Sequence, residues 1–582
     1  MQQLLQSTAA LLAFQAVVGD AAPTSSSSAA ASGPTGASYP SGFDMSTSWG
    51  NLSPYKDQPG FEVPNGVPRG CELSQVHVLH RHAQRYPTSW KLDGGVIEDF
   101  AQKLKNYTKR HDNATVGKGA LSFLNEWEYV LGEDLLLVSG AATEATSGAN
   151  VWSKYGRALY HAPVGVASYD SSLNVYPNGT ERPKPIFRTT DQARILESAR
   201  WWLSTFAINQ WHWVQQHPGV RRFLPRRLRR RVSPDFVLSI LCADCSSDDS
   251  GEKFIPNLTK DALKRLSHFL PSDFNLTAYD VVGMFSLCPY ETAALGSSSF
   301  CSLFTEQEWR DFEYFVDLQF YGNYGFGAPT GRAQGIGYVL ELASRLEGKR
   351  IETSDTSINA TVDSKPATFP LNQPLYMDMS HDDVIVGVLA ALGLKYFNYG
   401  SKGLPDDVAH AVPRNFKLNE VTPFGAHLIS EIWTCPEKTN FHELDGALYK
   451  NPDLSSTSDT TDVIRFVLNG SPVSQEGLDG CETSINGFCS VEDFLKGVPK
   501  LKEKAEYQYA CFGNYTAGHQ DTSSIGSFSA FTTARSDLTT AIKPSNPSKR
   551  SPEQALSTHN IQIYNDFQAN RQAHKYLKCL PS

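Results

Sequence analysis

The chain has 582 residues, a hydrophobic fraction of 40%, 33 prolines and ten cysteines. Its length calls for more than one domain or one large discontinuous domain, and its composition for a globular, loop-rich protein. Fifty-two basic side chains against 61 acidic ones leave a net charge of −9, which argues against nucleic acid as the main partner.

The opening segments read as targeting and linker. Residues 1–22 contain the apolar run Ala9 to Val18 and resemble a secretory signal peptide, although no Lys or Arg precedes the run. The run is too short and too polar for a membrane span, and no other stretch of 18 apolar residues occurs. Residues 23–60 begin rich in Ser, Ala, Gly and Pro and continue as an extended arm dense in Pro and Gly. Asn-x-Ser/Thr sequons begin at Asn51, Asn106, Asn113, Asn178, Asn257, Asn275, Asn359, Asn469 and Asn514; a proline after its serine weakens the one at Asn469. That density, with the leader, predicts a secreted, extracellular glycoprotein whose cysteines are paired in disulfides by default.

The apolar-rich run Val76 to Leu79 predicts a strand ending in Arg81-His82, with Arg85 three residues further on. Two guanidiniums beside an imidazole suit a phosphate dianion better than a core. Arg presents forked donors and stays charged at any working pH. A histidine between fixed positive charges has its protonated form disfavoured, so His82 stays a neutral nucleophile in acid. We read His82 as the group that attacks phosphorus and becomes transiently phosphorylated. His77, His80 and His82 look like a metal cluster, but on a strand His77 faces away from the other two, and arginines beside His82 repel a cation. No metal or other cofactor is assigned.

From about Gly94 to Tyr160 the pattern is mostly helical. Pro185 to Thr190 predicts a second short strand, with Asp191 capping the helix that follows. Ile195, Ala199, Trp202, Leu203 and Phe206 share one face of that helix, and Arg194 falls in its first turn. Arg221 to Arg231 holds seven arginines in eleven residues and reads as a solvated loop. Helical pattern returns from Asn257 to Tyr324, with a capping box at Thr305 to Glu308. Gly327 to Gly337 reads as a glycine-rich turn serving helix entry and tight packing; it lacks a full dinucleotide fingerprint. Pro374 to Ser380 predicts a third strand, followed by His381-Asp382-Asp383 and a helix with Val384, Val388 and Leu392 on one face. Val463 to Leu468, Asn469-Gly470 and Ser471 onward predict a hairpin. Cys242 and Cys245 lack a second close pair for zinc, and Lys549-Arg550 reads as an exposed basic pair.

Three strand-to-helix junctions therefore carry Arg81-His82, Arg194 and His381-Asp382. Ligands of open α/β sheets bind at the carboxyl ends of strands, where helix N-termini add donors. Should the three strands be neighbours, one pocket holds Arg81, Arg85, Arg194, His82 and His381, with Asp382 as an acid at its edge. Such an acid can protonate a leaving alkoxide while the arginines stabilise the charge on the transferring phosphoryl group.

Arg81-His82-Ala83-Gln84-Arg85-Tyr86-Pro87 resembles the Arg-His-Gly-x-Arg-x-Pro signature of the histidine acid phosphatases, and Ser380-His381-Asp382 resembles their His-Asp signature. Phe300 to Thr305, Ala333 to Tyr338 and Ile464 to Asn469 are also similar to family segments, and the likeness, greatest to fungal phytases and phytase-like acid phosphatases, covers most of residues 60–515. It implies an α/β fold, a mixed sheet flanked by helices, with a second, smaller helical domain. Residues 61–100, 180–215 and 330–530 would form the α/β part, 101–179 and 216–329 the helical inserts, and 531–582 a tail. It implies His82 as nucleophile, Arg81, Arg85, Arg194 and His381 as phosphate ligands, and Asp382 as proton donor, acting on small-molecule phosphomonoesters, phytate among them, with no metal, nucleic acid or membrane involved. It also implies disulfides Cys71–Cys435, Cys288–Cys301 and Cys481–Cys489, and Cys511 with Cys242 or Cys245, leaving Cys579 unassigned. Two departures stand out. Ala83 replaces the signature glycine, which would crowd the loop or force a shift if φ is positive there. Asp383 replaces the usual asparagine, and its charge is expected to raise the pKa of Asp382. The competing reading is a secreted phosphate-binding or structural glycoprotein of the same fold, without turnover.

Overall fold

The computed structural model describes residues 42–112, 115–207, 249–445 and 459–513. The leader, the arginine-rich run, the basic pair at 549–550, the tail, and the sequons at Asn113 and Asn514 lie outside the described residues. In chain order the main elements are β1 (Glu72–Arg81), α1 (Val96–Arg110), α2 (Val138–Val151), β2 (Phe187–Thr189), α3 (Ala193–Phe206), α4 (Asp249–Ser267), α5 (Ala278–Leu295), α6 (Glu306–Asn323) and α7 (Gly331–Glu347). There follow β3 (Leu375–Ser380), α8 (Asp382–Leu392), β4 (His427–Pro436), β5 (Thr460–Leu468), β6 (Ser471–Pro472), β7 (Cys489–Ser490) and α9 (Val491–Ala505). The strands form one mixed sheet in the order β2-β3-β1-β4-β5-β6, with β7 also paired to β5. The three strands read from the sequence motifs are adjacent and parallel, while β4 runs antiparallel to β1 and β5 antiparallel to β4.

Alternation along β1 creates two layers. Val76 and Val78 pack on one face with Trp202, Leu203 and Phe206 of α3. Leu79, on the other face, joins a larger core that includes Phe100, Phe285, Phe312, Ile336 and Ile385. His77 and His80 lie on opposite faces: His77 stacks on Tyr376 at 4.7 Å between ring centroids, and His80 Nε2 meets Ser147 Oγ at 2.8 Å.

Local signals hold in most places. The box at Thr305 and Glu308 caps α6. Asn469 and Gly470, with φ of 45° and 89°, make the two-residue turn between β5 and β6, as the left-handed region favours. One expectation is corrected and one made more definite. The cap of α3 is Gln192, without a side-chain bond, so Asp191 does not cap it. The glycine-rich stretch is helical from Gly331 onward, because α7 crosses α8 backbone to backbone: a Cβ on Gly335 would sit 2.0 Å from the Gly387 carbonyl oxygen.

Disulfides join Cys71 to Cys435, Cys288 to Cys301 and Cys481 to Cys489, as the resemblance implied. Cys511 is disulfide-bonded as well, while Cys242, Cys245 and Cys579 lie outside the described residues.

Candidate active site

Parallel pairing levels the ends of three strands. Arg81 lies opposite Ser380, and Thr189 opposite Met379. The ladder runs one residue further on each side: the His82 amide donates to Ser380 O at 2.9 Å and the Thr190 amide to Met379 O at 3.1 Å. His82, His381-Asp382 and Arg194 therefore leave the sheet at one edge, with the N-termini of α8 and α3 beside them. The rings of His82 and His381 are 5.5 Å apart, edge to face.

His82 Nδ1 lies 2.8 Å from Ala83 O. A carbonyl only accepts, so Nδ1 carries the proton and Nε2 keeps the lone pair. The imidazole is almost wholly buried, and burial first, then Arg81, Arg194 and Arg85, hold its pKa well below the ordinary histidine value. The sequence reading named the arginines; the structure ranks burial ahead of them. Burial and Arg194 likewise depress His381 to about 3.

Each guanidinium is anchored from one side by a carboxylate. Arg81 Nη2 pairs with Asp382 Oδ2 at 2.8 Å, Arg85 Nη1 with Asp93 Oδ2 at 3.2 Å, and Arg194 Nη1 with Asp134 Oδ1 at 3.0 Å. Arg81 Nη1 also donates to Asn51 O and Thr422 O, at 2.5 and 2.6 Å, and its guanidinium lies 4.5 Å from the Phe424 ring centre. Arg85 donates to the Tyr290 hydroxyl at 2.8 Å, and Tyr290 in turn donates to Asp93. Burial pulls the pKa of Arg85 down, yet Tyr290 and Asp93 more than offset it and keep the group charged. Left over, among the described residues, are buried guanidinium donors with no protein acceptor, Arg81 Nε, Arg85 Nε and Arg194 Nε, and the unpartnered ring nitrogen His381 Nε2. Unsatisfied buried donors of this kind suit an anion.

Asp382 accepts from Asn51 Nδ2 at 2.8 Å. Burial would raise its pKa, but Arg81, the Asn51 bond and Arg85 hold it down to about 2. The expected rise falls on Asp383 instead, which burial and the Asp382 charge push to about 7. This corrects the sequence reading: Asp382 has the guanidinium, so its neighbour keeps the proton. Ala83 is buried with φ outside the left-handed region, so the extra methyl needs no backbone shift.

All six residues singled out in the sequence, Arg81, His82, Arg85, Arg194, His381 and Asp382, meet at this edge. Arg188 does not: it lies in a buried ion cluster, with Nε 2.6 Å from Asp378 Oδ1 and Nη2 on Glu341. The sequence reading missed Asn51, Asp93, Asp134 and Tyr290. Asn51 was counted as a sequon, but its side-chain nitrogen is spent on Asp382 and the residue is buried. Asn469 is likewise fully buried. A polar residue in the arm that precedes the first strand was the only hint of Asn51.

Residues 72–469 match the sequence profile of the histidine phosphatase superfamily, branch 2. Phytase A of Aspergillus fumigatus is 30% identical over 463 residues, covering 77% of this chain and 87% of that protein. Phytase A of Emericella nidulans is 29% identical over 489 residues, covering 81% and 91%. Among solved structures, the phytase from D. castellii superposes with a TM-score of 0.53 at 19% identity, covering 82% of this chain and 89% of that one. The multiple inositol polyphosphate phosphatase of Bifidobacterium longum, without ligand, gives 0.50 at 12% identity, covering 77% and 96%. These two likenesses are of fold.

Proposed function

Because the chain belongs to the histidine phosphatase superfamily, branch 2, we propose that it is a secreted acid phosphatase that cleaves phosphomonoesters through a phosphohistidine at His82. Membership makes it a phosphoric monoester hydrolase acting on small-molecule phosphate esters. The observation that carries the finer reading is the lone pair of His82 Nε2 at the shared edge of three parallel strands, ringed by three guanidiniums.

In this reading Arg81, Arg85, Arg194 and His381 grip the phosphate oxygens, and Nε2 attacks phosphorus in line. Asp382 gives its proton to the leaving oxygen. Water then attacks the phosphohistidine with Asp382 as base, releasing phosphate and restoring His82. Beside Arg81 and Asn51, Asp382 is held ionised at about pH 2 and above. A docked dianion offsets the charge of Arg81, which raises the acid's proton affinity when the proton is needed. No step uses a metal. The α/β part, 61–100, 180–215 and 330–530, would carry this chemistry, while the helical inserts 101–179 and 216–329 lend Asp134 and Tyr290. The relatives' name puts phytate on the list of substrates to try. The three described disulfides support an oxidising, extracellular setting. The ordinary backbone at Ala83 favours turnover over a pocket disabled by the lost glycine.

The test is hydrolysis of an aryl phosphate and of phytate by the purified protein between about pH 3 and 8 with chelator present. Turnover is expected to survive chelator and to vanish in His82→Ala. Full activity in that variant, or loss of activity on chelation, would overturn the reading.

A further inference from the structure

One buried acid beside this centre has no part in the scheme above. Glu144, on α2, is fully buried, and neither carboxyl oxygen makes a well-aligned hydrogen bond. The Ser198 hydroxyl of α3 and the Ala83 amide face it, as does His80 Nε2 of β1 at 3.6 Å. His80 is engaged elsewhere: its Nδ1–H donates to Arg81 O at 2.6 Å, and its Nε2 accepts from Ser147 Oγ at 2.8 Å. An apolar side chain of similar size would fill this place without the cost of burying a carboxyl.

What faces Glu144 points to its role. The Ala83 amide also reaches towards Ser198 Oγ, at 3.4 Å, and the Ala83 carbonyl is the group that holds His82 Nδ1–H. Amide and carbonyl flank one Cα, so holding the first orients the second. Helix α2 is pressed onto the same loop. The Leu137 amide donates to Gln84 O at 2.8 Å, and a Cβ on Gly140 would lie 2.3 Å from that oxygen. Glu144 is one turn further along the helix.

We propose that Glu144 is a positioning residue for the nucleophile: together with Ser198 it holds the Ala83 amide, and through the Ala83 carbonyl it keeps the proton of His82 on Nδ1 and the lone pair on Nε2. The inference rests on reading His82 as the nucleophile. Burial raises the Glu144 pKa to about 8, so through the acid range the group is a neutral carboxylic acid that can donate and accept. The charged or titratable groups around it are Arg81 and His80 on β1, with His427 of β4 5.6 Å behind the His80 ring.

The test uses the full chain with Glu144→Met, Glu144→Gln and Ser198→Ala. Two readouts are taken: kcat and KM on an aryl phosphate, and the His82 tautomer from nitrogen-15 histidine spectra assigned with His82→Asn. Glu144→Met should melt at or above the wild-type temperature, yet lose roughly tenfold in kcat with KM within about twofold. Its His82 spectrum should change from the Nδ1–H form to a mixture. Glu144→Gln, which still accepts and donates, should restore kcat and tautomer; Ser198→Ala should fall between. A Glu144→Met protein with wild-type kcat and tautomer overturns the proposal. If that variant does not fold, a wild-type tautomer and kcat in Ser198→Ala overturns it. The two readings separate cleanly. A dead His82→Ala with an unaffected Glu144→Met removes only the positioning role. An active His82→Ala removes the phosphohistidine and overturns the positioning of a nucleophile with it, even if the tautomer shift in Glu144→Met shows that Glu144 orients the ring.

Discussion

Asp383 and Asn51 act on the same acid from opposite sides. Asp383 is pushed to about 7 by burial and by the Asp382 charge. Its folded pKa exceeds the unfolded value, so its contribution to stability is complete below about pH 4 and is lost as pH rises through 7. Asp383→Asn should therefore melt with the wild type near pH 3.5 and above it near pH 8, and should carry activity to higher pH, since one negative charge beside the dianion is gone. Melting curves and a pH–rate profile check both; an unchanged profile counts against the coupling. Asn51 holds Asp382 by one bond of 2.8 Å. Asn51→Ala should slow alkyl phosphates roughly tenfold and aryl phosphates less, because only the poorer leaving group depends on a well-aimed proton.

Two packing devices hold the elements that carry the site. Helix α8 presents Asp382 from its first turn, and its place is set by the glycine crossing with α7. Gly335→Ala would push a methyl into the Gly387 carbonyl, costing about 1–3 kcal/mol and displacing the acid with its helix. Thermal unfolding should show the loss, and kcat should drop with it; a wild-type melting temperature would mean that α7 slides without penalty. Strands β2 and β3 are tied by Arg188, which pairs with Asp378 of β3 and with Glu341 of α7. Arg345 Nη1 meets the same Asp378 at 2.9 Å. Arg188→Ala leaves the buried carboxylates short of charge and should cost about 3–5 kcal/mol, seen as a lower denaturation midpoint. Its effect on kcat should follow only from that instability, since the side chain lies outside the site.

Across the whole molecule, the bond between Cys71 and Cys435 ties the start of β1 to the end of β4 over a sequence separation of 364. Replacing both cysteines by serine should cost about 2–5 kcal/mol, measurable as a lower unfolding midpoint. Glycopeptide mapping of the chain expressed through a eukaryotic secretory pathway should find Asn51 and Asn469 bare, because folding buries both, and sugar only at exposed sequons such as Asn106, Asn178, Asn257 and Asn275. The same contrast between near and far runs through the site. Apolar alternation, helix starts and motif spacing act over a few residues, so the strands around Val76, Phe187 and Leu375, and the gathering of Arg81, His82, Arg85, Arg194, His381 and Asp382 at their ends, were legible in the order of amino acids alone. That order could not say that β3 lies between β1 and β2, that Arg188 turns away while Arg194 turns in, or that Asp383 rather than Asp382 keeps the proton. Those outcomes depend on partners distant in sequence, such as Asn51 and Asp382, 331 residues apart. Only the folded chain brings them together, and charges shielded from water respond to whatever lies within a few ångströms, wherever it stands in the sequence.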